Sequence, residues 1–161
     1  MDTLLPDAAR ISDRLRALRQ TVAVSESSAG GLIAAALLAQ PGASAFFRGG
    51  AVVYTRHAQS GLLGVGLADM QGVRSASEPY ASLVAERVRE RLRADWGLAE
   101  TGAAGPSGNA YGDSAGHTCL AVAGSASAVR TLETGMSDRI ANMRAFAAAA
   151  LALLLETLPA E

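Results

Sequence analysis

Lysine is absent from this chain. All 14 basic residues among its 161 are arginine, and arginine stays protonated at any ordinary pH. Chemistry that requires a neutral lysine amine is therefore excluded. The single cysteine, Cys119, cannot form an internal disulfide, which fits a reducing compartment. Aromatic residues amount to 4% and the net charge is −1. No basic surface with interleaved aromatics is expected, hence no nucleic-acid partner. The two histidines, His57 and His117, have no acidic or cysteine companion at metal-ligand spacing, so no metal site is expected. The one long apolar run, Ala145–Leu155, is shorter than the ~20 residues that span a bilayer. The opening MDTLLPDAARISDR lacks a cationic segment followed by an apolar stretch. A cytoplasmic protein without a membrane partner is the expectation.

Half of the residues are hydrophobic and 18% are charged, enough apolar material for a sizeable core. The length suits one domain spanning residues 1–161. Leu5–Arg19 has Pro6 in its first turn and Ile11, Leu15 and Leu18 at helical spacing. Thr21–Ser25 is a β-branched run that leads through a small-residue loop into the helix LIAAALLAQ, which Pro41-Gly42 ends. Ala43–Arg48 reads as a helical turn that Gly49-Gly50 breaks. Ala51–Thr55 reads as the second strand, and Arg56–Leu63 as a short helix with Ala58, Leu62 and Leu63 inward. Gly64–Ser77 reads as an irregular crossover. Ser77 then caps a helix to about Ala94 with Tyr80, Val84 and Val88 on its apolar face. Leu98–Thr101 is a third strand. His117–Ala123 and Ala128–Glu133 form a hairpin. Ser137 or Asp138 starts a last helix whose inner face is Ile140, Met143, Ala147, Leu151 and Leu154. Alternation early and a hairpin late predict a three-layer α/β/α sandwich around a mixed, partly parallel sheet.

Two loops that follow strands, Ser25–Gly31 and Thr101–Gly116, have the composition of backbone cradles. Ligands in open α/β sheets sit beyond the carboxyl ends of strands, and glycines there let amides approach a phosphate or an oxyanion. Ser28 and Thr101 add hydroxyls. Ser44 and Tyr54 are candidates for nucleophile and proton relay, though spacing alone reads them more simply as one of many serines and a strand-end tyrosine. Glu100 interrupts a strand that should be apolar on both faces. It is either a partnered structural carboxylate or one aimed at the crevice with a raised pKa.

Three segments in order carry a family resemblance. SESSAGGLIAAAL, PGASAFFRGGAVVYTRHAQSGLLGV and TGAAGPSGN followed by AGHTCLAV resemble the AESCTGG, GSSAWFRGGVVAYSNEAKxxLLGV and TGIAGPGGG-VGTVxxAV segments of the CinA carboxy-terminal domain family. The match runs from about Thr21 to Val122, in a form without the family's further amino-terminal domain. The resemblance implies an α/β/α sandwich and a nicotinamide-nucleotide amidohydrolase in pyridine nucleotide recycling. It also implies a metal-free serine mechanism that needs no cofactor. Ser44 matches the nucleophile and Tyr54 the assisting tyrosine, while the family lysine falls on Gln59. Nucleotide contacts are implied for Ser27, Ser28, Gly30, Gly31 and Arg48. The second loop would contribute Thr101, Gly102, Ala104, Gly105 and Gly116. With lysine gone, a substitute base would be His57, His117 or Glu100. The alternative is a homologue that binds a pyridine or related nucleotide without hydrolysing it. A homo-oligomer, as a dimer, is the protein partnership considered.

Overall fold

A computed structural model describes residues 1–160. Five strands form one sheet in the order β2-β1-β3-β4-β5. They are β1 (Val22–Glu26), β2 (Phe47–Val52), β3 (Trp96–Ala103), β4 (His117–Ala123) and β5 (Ala128–Glu133). β1 runs parallel to both β2 and β3, and β3-β4-β5 is antiparallel. The carboxyl ends of β1, β2 and β3 therefore open on one side of the sheet. This is the α/β/α sandwich expected, with a mixed sheet.

Helices α1 (Leu5–Leu18), α2 (Leu32–Leu38) and α5 (Arg139–Thr157) cover one face. Their core is built on Ile11, Leu15, Ile33, Leu37, Phe46, Leu151 and Leu154. Helices α3 (Arg56–Leu63) and α4 (Glu78–Arg91) cover the other, over Tyr80, Val84, Val88 and Leu63. Ser77 and Asp138 cap α4 and α5, accepting hydrogen bonds from Tyr80 and Ala141 amides at 3.3 and 2.8 Å. At 19 residues, α5 is by length and composition alone apolar enough to cross a membrane. The run Ala145–Leu155 lies inside this helix, which starts after Asp138 as expected and packs in the core.

Four local expectations are corrected. β2 starts at Phe47, and Gly49-Gly50 lies inside it instead of breaking the chain. Arg48 is an extra residue between the Val22–Phe47 and Ala23–Gly49 pairs, a bulge that Gly49 accommodates with φ of 147°. A side chain at Gly50 would press on Ala34 of α2, with its Cβ 3.1 Å from that methyl. The glycine lets the helix approach the sheet. In α3 the inner residues are Gln59 and Leu63, one helical turn apart, while Leu62 is exposed. In α5 the inner face begins at Asn142 and Phe146, and Ile140 is exposed. α4 ends near Leu92 because Arg93 adopts a left-handed φ of 50°.

Gly97 on β3 marks the closest approach of α4. A Cβ there would sit 2.0 Å from the Ala85 carbonyl oxygen and 2.9 Å from Arg89 Cβ. Gly97→Ala is expected to cost about 1–3 kcal/mol and to lower Tm by roughly 4–10 °C, measured by thermal denaturation.

Candidate active site

The first loop and α2 are organised by two buried carboxylates. Glu26, at the end of β1, accepts hydrogen bonds from the amides of Gly31, Ile33 and Ala34 at 3.0, 3.0 and 2.8 Å. Those are orphan N–H groups of the start of α2. Glu100, on β3 and 1% exposed, accepts from the amides of Ser27 and Ala29 at 3.0 and 2.8 Å. The Ser28 and Thr118 hydroxyls donate to its other oxygen. Burial raises the Glu100 pKa above its ordinary value, against the lowering by these donors. Burial also raises that of Glu26, helped by the charge of Glu100.

The loop Ser25–Gly31 is therefore an anion cradle already filled by the protein. Its bonded amides face inward to carboxylates, and Ser28 points at Glu100. This removes Ser28 and Gly31 as direct ligand contacts. Gly30 is packed on Met143, whose methyl would stand 2.9 Å from a Cβ at that position. Glu100 is a partnered structural carboxylate, so it is removed as a substitute base.

His117 is also committed. Its Nδ1 meets Glu133 and its Nε2 lies 2.9 Å from the Ala76 carbonyl oxygen. Both partners are acceptors, so both ring nitrogens are donors. Burial lowers its pKa, but the Glu133 carboxylate, the Ala76 carbonyl and Asp113 outweigh that and raise it overall. With both ring nitrogens engaged by acceptors, no free nitrogen faces the crevice to act as a base. His57 is exposed on α3, away from the catalytic candidates' crevice but beside a neighbouring cavity.

Beyond the carboxyl ends of β1, β2 and β3 lies a crevice of about 270 Å³. Ser27, Tyr54, Gln59, Thr101 and Gly102 line it, together with Arg56, Asn109 and Tyr111. The Thr101 hydroxyl accepts from the Ala76 amide at 3.2 Å, which leaves its proton to donate. Tyr54 is exposed at the mouth. Arg139, the first residue of α5, donates to its Oη at 3.3 Å and to the Gly105 carbonyl at 2.6 Å. The long loop is pinned from above. Arg74 forms a two-point ion pair with Asp113 at 2.6 and 3.0 Å, and lies over the Tyr111 ring. Asn142 anchors it from below, donating to the Ala104 carbonyl at 2.9 Å.

Four expected contacts lie elsewhere. Ala104 is buried, and Gly105 and Gly116 hold the loop by backbone bonds to Arg139 and Ala103. Arg48 is exposed on the edge strand and lines neither this crevice nor its neighbour. Ser44 sits in a short 3-10 turn, Ala43–Ala45, before β2 begins, whereas Tyr54 follows its end. β2 alone is ~20 Å long, so within one chain Ser44 and Tyr54 stand at opposite ends of the sheet. Arg139, Tyr111 and Asn142 were missed by sequence reasoning. Only Asn142 carried a signal, as a polar residue within an apolar helix.

A family model, the CinA C-terminal domain, matches residues 6–158. The chain belongs to the CinA C-terminal domain family. It is 45% identical over 105 residues to a CinA-like protein of Synechococcus sp. (strain CC9902), covering 65% of this chain and 25% of that one. A CinA-like protein of Anaeromyxobacter sp. (strain Fw109-5) is 39% identical over 137 residues, 84% of this chain and 33% of the other. The chain thus spans a quarter to a third of the length of these relatives. Among solved structures, the competence/damage inducible protein CihA of Agrobacterium tumefaciens is 31% identical with a TM-score of 0.88, covering 95% of this chain and 94% of that one. A CinA superfamily protein of Escherichia coli gives 29% and 0.89, covering 96% and 90%. Membership of the CinA family accounts for the sandwich.

Glu100→Gln tests the carboxylate's structural role. An amide keeps the two backbone acceptor bonds and can donate to both hydroxyls, while it removes the buried charge. A carboxyl whose folded pKa is raised stabilises the fold most below its unfolded value, near 4.5, and that contribution declines as pH rises through the folded value. The variant is expected to match wild type at pH 4 and to gain on it between pH 5 and 8 in thermal melts.

Proposed function

We propose that the chain is an amidohydrolase that converts the carboxamide of a nucleotide, nicotinamide mononucleotide in the first instance, to the carboxylate and ammonia through a serine ester. The observation that carries this reading is Tyr54, held by Arg139 at the mouth of the crevice that Gln59 and Thr101 line. The guanidinium occupies one lone pair of the phenol oxygen, so the phenol proton is directed away from α5. A serine Oγ adds to the carboxamide carbon, and its proton passes to Tyr54 as the tyrosine proton passes to the departing amine. Ammonia leaves an acyl-serine. Water then attacks the ester, the relay runs in reverse, and the serine is restored. The Thr101 hydroxyl donates to the oxyanion. Gln59 cannot accept the serine proton, so the relay rests on Tyr54.

The serine that matches the family nucleophile is Ser44, and it needs a second copy of the chain. β2 is an edge strand with a glycine pair and only Arg48 as a charge. The residue halfway between Ser44 and Tyr54 is Gly49. Antiparallel pairing of two β2 edges about that point sets Ser44 of one copy beside Tyr54 of the other. The observation favouring a second reading is that Ser27 lines the crevice within the same chain. A third reading, binding without turnover, is favoured by the amide at Gln59.

Ammonia release from nicotinamide mononucleotide, followed alongside calorimetric titration, separates them. Turnover is expected, with Tyr54→Phe lowering kcat/KM by ~10²-fold or more. Ser44→Ala is expected to abolish release and Ser27→Ala to leave most of it; the opposite result assigns the serine to Ser27. Mixing Ser44→Ala and Tyr54→Phe chains is expected to restore roughly a quarter of wild-type activity, since half the dimers are mixed and each has one intact site. Binding without ammonia leaves the third reading, and no binding overturns all three.

A further inference from the structure

A second cavity of about 570 Å³ adjoins the crevice. Arg56, Gln59 and Tyr111 line both. The larger chamber lies between α3, the Gly64–Ser77 crossover and the long loop, and its apolar wall is Val65, Leu67, Met70 and Val73. Neither chamber has a carboxylate in its lining. Arg74 is neutralised by its two-point pair with Asp113. Arg56 has no ion-pair partner among the described residues, so it is the free cation at the junction. Gln59 is only 8% exposed, yet its side-chain amide has no hydrogen-bond partner among the described residues. The amide is open to the chambers: the buried side-chain polar atoms without a partner among the described residues are Ser25 Oγ and Tyr80 Oη. The amide stands where the two chambers meet.

We infer that the two chambers are one site for a dinucleotide, two ring-bearing nucleosides joined by a pyrophosphate. This rests on the reading that the crevice takes a nucleotide carboxamide. The crevice alone falls just under the ~300–1,000 Å³ of typical ligand sites, enough for a ring and its sugar. Whatever follows the sugar passes Gln59 and Arg56. A pyrophosphate there meets an uncompensated guanidinium and the donor half of the Gln59 amide. The second base then lies against Tyr111, whose ring Arg74 already orders, and against Met70 and Val73. The sequence polar, cationic, apolar along the site matches carboxamide ring, pyrophosphate, second base. A mononucleotide would leave the larger, more apolar chamber filled with water.

Calorimetric titration of the wild-type chain with nicotinamide mononucleotide and with nicotinamide adenine dinucleotide tests this. The dinucleotide is expected to bind about tenfold tighter or better, from the added burial of its second base. Met70→Trp, which fills the larger chamber, is expected to erase that advantage and leave mononucleotide affinity within about twofold. Leu67→Glu changes a side chain that is 88% exposed, so folding is spared. Its negative charge at the chamber rim is expected to weaken the dinucleotide selectively. Equal affinities in wild type, or equal losses for both ligands in the two variants, overturn the inference while leaving the crevice reading intact. Binding of neither ligand overturns both.

Discussion

The site depends on two carboxylates placed where no water reaches. Glu26 and Glu100 between them receive five backbone amides and two hydroxyls. A buried unpaired charge is expensive, so this donor set is what makes the carboxylates tolerable there. The carboxylates in turn fix the path of residues 27–34. Without them, the N–H groups at the start of α2 would point into an apolar layer. The cost of burial remains visible in the raised pKa of both groups.

That constraint moves ligand chemistry away from the loop a glycine-based reading favours. A strand, small residues and a helix start form an anion site only if the amides are free. Here they are consumed by the chain's own anions. The donors left open around the crevice are side chains: Thr101, Gln59, Arg56 and Arg139 with Tyr54. These four positions lie on three elements, β3, α3 and α5, so the crevice exists only when both helical layers are docked on the sheet.

Much of this was legible in the residues. Capping residues Ser77 and Asp138 act locally, through bonds to amides three residues on, so composition located both helix starts. Of the crevice residues, Tyr54 follows a strand, Thr101 lies near the end of one and Gln59 is in the first turn of a helix, and strand order brings them together. Other features were hidden because they are decided at a distance. A glycine pair reads as a break unless it is known that α2 presses on Gly50. The rotation of α3, which buries Gln59 and exposes Leu62, depends on which face α4 and the crossover leave open. Arg139 lies 85 residues from the tyrosine it holds, a separation no local pattern spans.

The sequence by itself determined the fold class, the ends of most elements and the absence of a lysine base, because propensity, capping and composition are properties of neighbouring residues. It also presented Glu100 as the residue out of keeping with its strand. Tertiary structure alone decided that Glu100 faces Ser27–Ala29, that both nitrogens of His117 are engaged, and that Ser44 and Tyr54 stand at opposite ends of β2. The reason is geometric. Ten positions along a chain can be a turn of separation or the whole length of a strand, and only the pairing of β2 with β1 sets which.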